Sequence, residues 1–259
     1  MGHMRLGTLP DTTRWRRVVG LLAEGGDVAA VAGATSQAAQ DGLDIAHNDP
    51  GLCHAVYLLT QFVLAARTDD FAGSLQNAGI SVPGDAGLFD IVSGFSEAVD
   101  RHLVGNGKRT DIGEMAQSAA VESITALIGP RSQSLFGTTT AEIQDAAYHF
   151  STQNGFATLA HDFFSRFTQR YLTYHLGREL SNHVGGNGRF ADPSESSDFV
   201  QKLGAHCREA GEIVRTFAGG WYSKANFENG ITPQKAKNFA NYALTKLKSE
   251  LKVRGDRDD

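Results

Sequence analysis

The stretch from Phe156 to Val184, FATLAHDFFSRFTQRYLTYHLGRELSNHV, constrains the fold more than any other part of the chain. It contains no proline and one interior glycine, Gly177, so it reads as a single helix of about 29 residues, roughly 43 Å long at the α-helical rise. Projected at about 100° per residue, Phe156, Ala160, Phe163, Phe164, Phe167, Tyr171 and Tyr174 share one broad face. Toward and beyond Gly177 the apolar side turns to Leu172, Leu176, Leu180 and Val184, nearly opposite. A helix that is apolar on one side early and on the other side late must touch two packing layers, or bend between them. The chain is therefore expected to be all-α, a multi-helix and mainly antiparallel bundle with this segment as its central strut.

Helix punctuation supports that class. Asp49-Pro50, Asp192-Pro193 and Thr232-Pro233 each put a capping oxygen before a proline at the first helical position. Thr139 with Glu142, and Asp111 with Glu114, fit the capping-box spacing. Asn-Gly pairs at Asn106-Gly107, Asn154-Gly155, Asn187-Gly188 and Asn229-Gly230 suit helix stops or turns. Between these marks the pattern predicts helices near 12–23, 27–45, 50–67, 69–78, 84–104, 111–128, 139–153, 156–184, 194–226 and 232–254. Nothing alternates with period two over more than a few residues, so a sheet is not expected. The last helix places Ala236, Phe239, Ala240, Ala243, Leu247 and Leu251 inward and Lys237, Lys246, Lys248 and Lys252 outward. It should turn back on the 194–226 helix as a C-terminal helical hairpin. Met1-Gly2-His3-Met4 reads as a vector-derived or disordered start, 5–254 as one helical domain with a seam near 129–137, and 255–259 as the end of a polar, frayed tail that begins at Arg254.

Composition narrows the function classes. A formal charge of −5 over 259 residues is too slight to argue for nucleic acid or an anionic membrane as partner. Cys53 and Cys207 are too few for a disulfide framework and are read as buried free thiols of an intracellular, cytoplasmic protein. No apolar run approaches the roughly 18 residues of a membrane span.

Four constellations carry potential chemistry. His175, Glu179 and His183 stand at i, i+4 and i+8, the residue types a divalent transition metal prefers. Spread over about 12 Å of one helix they cannot close on one ion without a second element, so no metal or other cofactor is assigned. His161-Asp162 matches the dipeptide of the HD phosphohydrolases, with His149 twelve residues earlier; its projection puts Asp162 on the solvent side. Gly219-Gly220-Trp221-Tyr222-Ser223-Lys224 pairs a helix-weakening glycine doublet with two amphipathic aromatics and a base. Trp221, Tyr222 and Lys224 are thus candidate interaction residues, against the alternative that both rings pack under the hairpin. Arg14, Arg16 and Arg17 beside Trp15, with the lysines of the last helix, are the nucleic-acid candidates.

Several segments resemble the B component of the Qat bacterial antiphage defence systems, a helical protein of unassigned activity. The resemblance lies in Asp111-Ile112-Gly113-Glu114-Met115-Ala116 leading to Val121-Glu122-Ser123-Ile124, and in Phe163 to Gly185 with Arg178-Glu179-Leu180-Ser181-Asn182-His183-Val184-Gly185. It closes with Asn187-Gly188-Arg189-Phe190 and the helix that follows, about half of the chain. It implies a non-catalytic protein acting beside an ATPase, a QueC-like enzyme and a TatD-like nuclease, with no catalytic residues to carry over. The expected function is a protein-interaction component of such a system. The rivals are an HD-like metal-dependent phosphohydrolase and a nucleic-acid-binding helical protein.

Overall fold

A computed structural model describes residues 9–105, 109–132, 139–186, 188–228 and 230–256, Arg178 by its backbone alone. Among these residues eleven α-helices follow one another: α1 (Thr13–Ala23), α2 (Val28–Ala38), α3 (Gln40–Ala46), α4 (Pro50–Ala65), α5 (Phe71–Asn77), α6 (Leu88–Gly105), α7 (Asp111–Ile128), α8 (Thr140–Phe150), α9 (Gln153–Asn182), α10 (Pro193–Phe227) and α11 (Pro233–Gly255). A single 3-10 turn, Gly129–Arg131, follows α7. The described residues contain no β-strand, only an isolated bridge between Val184 and Phe190. The all-α class is as expected.

The three proline-preceding caps form as the sequence suggests. Asp49 accepts from the Leu52 amide at 2.9 Å, Asp192 from the Ser194 amide at 2.7 Å and Thr232 from the Lys235 amide at 3.2 Å. Thr139 and Glu142 make a reciprocal capping box. Asp111 does not cap: Thr110 holds that place, accepting from the Gly113 amide at 3.0 Å. Asp111 sits instead in the first turn, where its charge favours the positive helix end.

Three further boundaries depart from the sequence pattern. The expected helix 27–45 breaks at Ala39, whose carbonyl accepts the Tyr171 hydroxyl at 2.7 Å. Gly42 leaves room for that hydroxyl, since a Cβ there would stand 2.4 Å from it. Asn154-Gly155 is no stop but part of the first turn of α9, because Thr152 caps three residues earlier by accepting from the Gly155 amide at 3.0 Å. The expected helix 84–104 starts only at Leu88, with Asp90 taking the Gly87 amide at 2.9 Å. The other Asn-Gly pairs lie at least partly outside the described residues. Near one of them, Gly185 and Gly186 take left-handed φ of 78° and 56°, which suits a helix stop.

Helix α9 is the strut. Phe156, Phe163, Phe164, Phe167 and Tyr171 are buried on one side, and Leu172, Leu176 and Leu180 on the other. Each such ring or leucine removed from water contributes about 1.5–3 kcal/mol before the entropy of ordering it. The longest packing seam joins α9 to α10, antiparallel. Glycines set its closeness. A Cβ at Gly204 would meet the Gln169 amide at 2.7 Å, one at Gly211 the Ser165 hydroxyl at 2.2 Å, and one at Gly219 the Gln153 carbonyl at 2.5 Å. As α10 advances through 204, 211 and 219, the facing position on α9 retreats through 169, 165 and 153. The glycine doublet Gly219-Gly220 does not end the helix: α10 runs on to Phe227, and Gly219 is a point of contact with α9.

On the far side α4 crosses α7 at Gly51 and Gly113, where an added Cβ on Gly51 would come 2.5 Å from the Gly113 Cα. The two helix starts are tied above this crossing: Thr110 donates to the Asp49 carboxylate at 2.6 Å. Helix α11 folds back beside α10 but lies chiefly on α2 and α4. Its end is not frayed at Arg254 and Gly255. Gly255 is buried against Gly33 of α2, and Arg254 reaches Glu250 at 2.9 Å and Glu209 at 3.3 Å. Buried side chains from Trp15 to Leu251 form one cluster that includes both flanks of the 129–137 segment. No helix among the described residues is long and apolar enough to cross a membrane.

Candidate interaction surface

The α10–α11 hairpin is held by a residue that sequence reasoning passed over. Lys235, in the first turn of α11, donates through Nζ to the carbonyls of Ala225 at 3.1 Å and Gly230 at 2.9 Å, and also to that of Glu228. An ammonium there satisfies backbone acceptors at the negative end of α10 and fixes the turn. Gln61 of α4 anchors the same turn by donating to the Ile231 carbonyl at 3.2 Å.

With the hairpin fixed, aromatic side chains form a ladder from the core to the surface. At the inner end Tyr222 stacks on Phe156 with centroids 4.4 Å apart and planes 14° apart. Trp221 stacks on Phe239 at 4.1 Å. Phe217 meets Phe239 at 6.0 Å and Tyr242 edge-on at 4.8 Å. At the outer end the Lys246 ammonium lies 5.3 Å from the Tyr242 ring centroid, within cation–π range. Exposure rises along the ladder: Tyr222 is 1% exposed, Phe239 3%, Trp221 and Phe217 are half-buried, and Tyr242 is 49% exposed.

Of the three residues expected to form an interaction site, the structure divides the set. Tyr222 cannot serve as a surface anchor. It lies in the core, its hydroxyl has no hydrogen-bond partner among the described residues, and burial pushes its pKa up to about 12, with Arg67 opposing. The i, i+1 spacing turns Trp221 about 100° away, toward the hairpin edge. Lys224 is exposed and stands 3.9 Å from Glu228. Phe217, Tyr242 and Lys246 are the additions. Tyr242 stands three residues beyond the inward Phe239, a flanking position that periodicity assigns to neither face.

The remaining constellations do not assemble. His175 packs against Trp15 at 5.3 Å and Tyr171 at 4.9 Å, and burial pushes its pKa down to about 4. Glu179 faces the Asn182 amide at 3.5 Å, and His183 caps the end of α9. Among the described residues no three His, Cys, Asp or Glu are grouped to hold a metal ion. His161 and Asp162 turn to different partners. The His161 ring reaches the Arg208 carbonyl at 2.9 Å and Glu212 at 3.3 Å, while Asp162 accepts from Arg166 at 2.6 Å. Asp162 is thus drawn in from the solvent side predicted for it, its side chain 16% exposed. His149 is exposed at the end of α8. Both cysteines are free thiols; Cys207 is buried as expected but Cys53 only half-buried, and desolvation pushes their pKa values up to about 12 and 11. Of the basic candidates, Arg16 stands 3.6 Å from Asp11 and Lys248 3.2 Å from Asp44, so part of that charge is neutralised locally.

Comparison with protein-family models, with curated proteins and with solved structures finds no match to this chain.

Proposed function

We propose that this chain is a non-catalytic protein-interaction component of a bacterial multi-protein antiphage defence system, working in the cytoplasm beside an ATPase and a QueC-like enzyme. The observation that carries the proposal is the aromatic ladder of the α10–α11 hairpin. It ends in a half-exposed Tyr242 under Lys246, flanked by partly exposed Phe217 and Trp221. Tyrosine and tryptophan carry large apolar area with a polar edge at little conformational cost, and together with arginine they dominate binding hot spots. Here those rings are braced by the core ring Phe239, so a partner would meet a surface already ordered. The resemblance to the Qat B component adds a second strand of support. Its segments fall on α7, α9 and the start of α10, and both α7 and α10 pack on α9.

Co-expression with the products of the adjacent genes, followed by size-exclusion chromatography, tests the proposal. A stable complex is expected to form and to be lost in a Tyr242→Ala/Lys246→Ala variant whose helical circular dichroism is unchanged. Elution of the chain apart from every neighbouring product would overturn the assignment. Complex formation indifferent to the double substitution would move the interface elsewhere.

A further inference from the structure

Helices α7 and α10 both pack on α9, yet they part along one stretch of it. The gap is a cleft of about 390 Å³. That lies within the roughly 300–1,000 Å³ of small-molecule sites. Its wall on α7 brings Met115 and Glu122, its wall on α10 brings Val200, and its floor on α9 brings Arg166, Gln169 and Arg170. At one end the Tyr174 hydroxyl donates to Asp111 at 2.8 Å, pinning α9 to α7.

The charges in the cleft have a definite arrangement. The Glu122 carboxylate bridges the two guanidiniums, one oxygen accepting from Arg170 Nη2 and the other 3.6 Å from Arg166 Nη1. Arg166 is held from its other side by Asp162. Two carboxylates thus face two guanidiniums and occupy three of their six nitrogens, which leaves further N–H donors on the pair. Arg170 Nε is enclosed and has no acceptor among the described residues, so a ligand in the cleft would engage the remaining Nη hydrogens of the pair. A molecule completing this site must bring acceptor oxygens, and the Met115 and Val200 walls call for an apolar body behind them. Glu122 demonstrates that one carboxylate can span both cations.

Gly177 keeps the floor open. It lies within α9, lines the cleft, and a Cβ built on it would meet nothing within 4 Å. A glycine inside a helix costs about 1 kcal/mol relative to alanine. Unlike the glycines of the α9–α10 seam, this one is not needed for helix approach.

We propose that the cleft between α7 and α10 is a binding site for a small organic carboxylate, its oxygens on the Arg166–Arg170 pair and its apolar body between Met115 and Val200. The proposal stands apart from the hairpin surface, since none of the ladder residues lines this cleft.

The test uses benzoate, phenylacetate and hexanoate at millimolar concentration, with benzamide and phenyl phosphate beside them, read by saturation-transfer NMR and thermal shift. At least one carboxylate should bind saturably, and benzamide should not. Phenyl phosphate binding more tightly than every carboxylate would reassign the site to phosphate esters and overturn the proposal. Arg170→Met should weaken binding about tenfold or more, the loss of a charge-assisted contact. Because that variant strands Glu122, Arg170→Met/Glu122→Gln serves as the version with no unpaired acid. Gly177→Leu should abolish binding by filling the cleft while melting no lower than the parent. Arg215→Gln, an exposed position elsewhere on α10, should leave binding unchanged. No saturable carboxylate, or undiminished binding in Gly177→Leu, sinks the proposal.

Discussion

Helix α9 presents glycine-related geometry of two opposite kinds. Along the α10 seam, glycines 204, 211 and 219 of the partner helix let the two backbones approach until an added methyl group would collide with the facing residue. On the α7 side, the helix's own Gly177 faces nothing within 4 Å, and the neighbouring helices stand apart around an open cleft. The same residue type thus closes one seam and keeps open another groove. What separates them is the object opposite: backbone or a packed side chain in the first case, empty space in the second. A glycine's role is therefore readable only from its neighbour, and substitution by alanine measures it directly.

The largest effect should come from Gly219→Ala. Its Cβ would lie 2.5 Å from the Gln153 carbonyl oxygen, a backbone atom that cannot rotate away. Overpacking of this kind costs about 1–3 kcal/mol, and the upper end is expected, read as a fall in urea midpoint. A neutral result would mean that the α9–α10 seam is looser than its geometry. Next comes Asp49→Ala, which removes the α4 cap and strands the Thr110 hydroxyl, for a loss of about 2 kcal/mol. Gly211→Ala should be milder, about 1 kcal/mol, since it meets the rotatable Ser165 hydroxyl as well as the His161 ring. Gly177→Ala should reverse the sign, raising stability by about 0.5–1 kcal/mol through helix propensity alone. Were it to destabilise, the open floor of the cleft would be in doubt.

A pH series probes the half-buried histidines. His54 stacks on His102 at 3.9 Å with planes 8° apart, and burial together with the His102 charge lowers its pKa from 6.5 to about 4. His175 is lowered similarly by burial. Between pH 6.5 and 4 the unfolded chain therefore holds more protons than the folded one, so stability is complete above 6.5 and declines as pH falls toward 4. Chemical denaturation at several pH values should show that slope. His54→Gln and His175→Gln should each flatten it.

How much could be read in advance depended on how local the cause was. Caps at Asp49, Asp192 and Thr232 need only two or three neighbouring residues, and they were legible. The apolar faces of α9 follow from helical period and were legible too. The break at Ala39 was not, because it depends on a tyrosine hydroxyl 132 positions away. Tyr222 and Trp221 looked equivalent as adjacent aromatics, and only the placement of Phe156 and Phe239 sent one inward and the other to the edge. The cleft was invisible for the same reason. Glu122 stands 48 positions from Arg170, and nothing local announces that they share a cleft.

Taken alone, the order of residues determined that this chain is helical, where most helices begin, and which sides of the strut are apolar, since propensity, capping and periodicity act within a turn or two. Tertiary structure alone decided which helices touch and which part, which aromatic reaches the surface, and where two arginines and a glutamate meet. Those outcomes depend on the space left between distant segments, and a linear pattern carries no measure of that space.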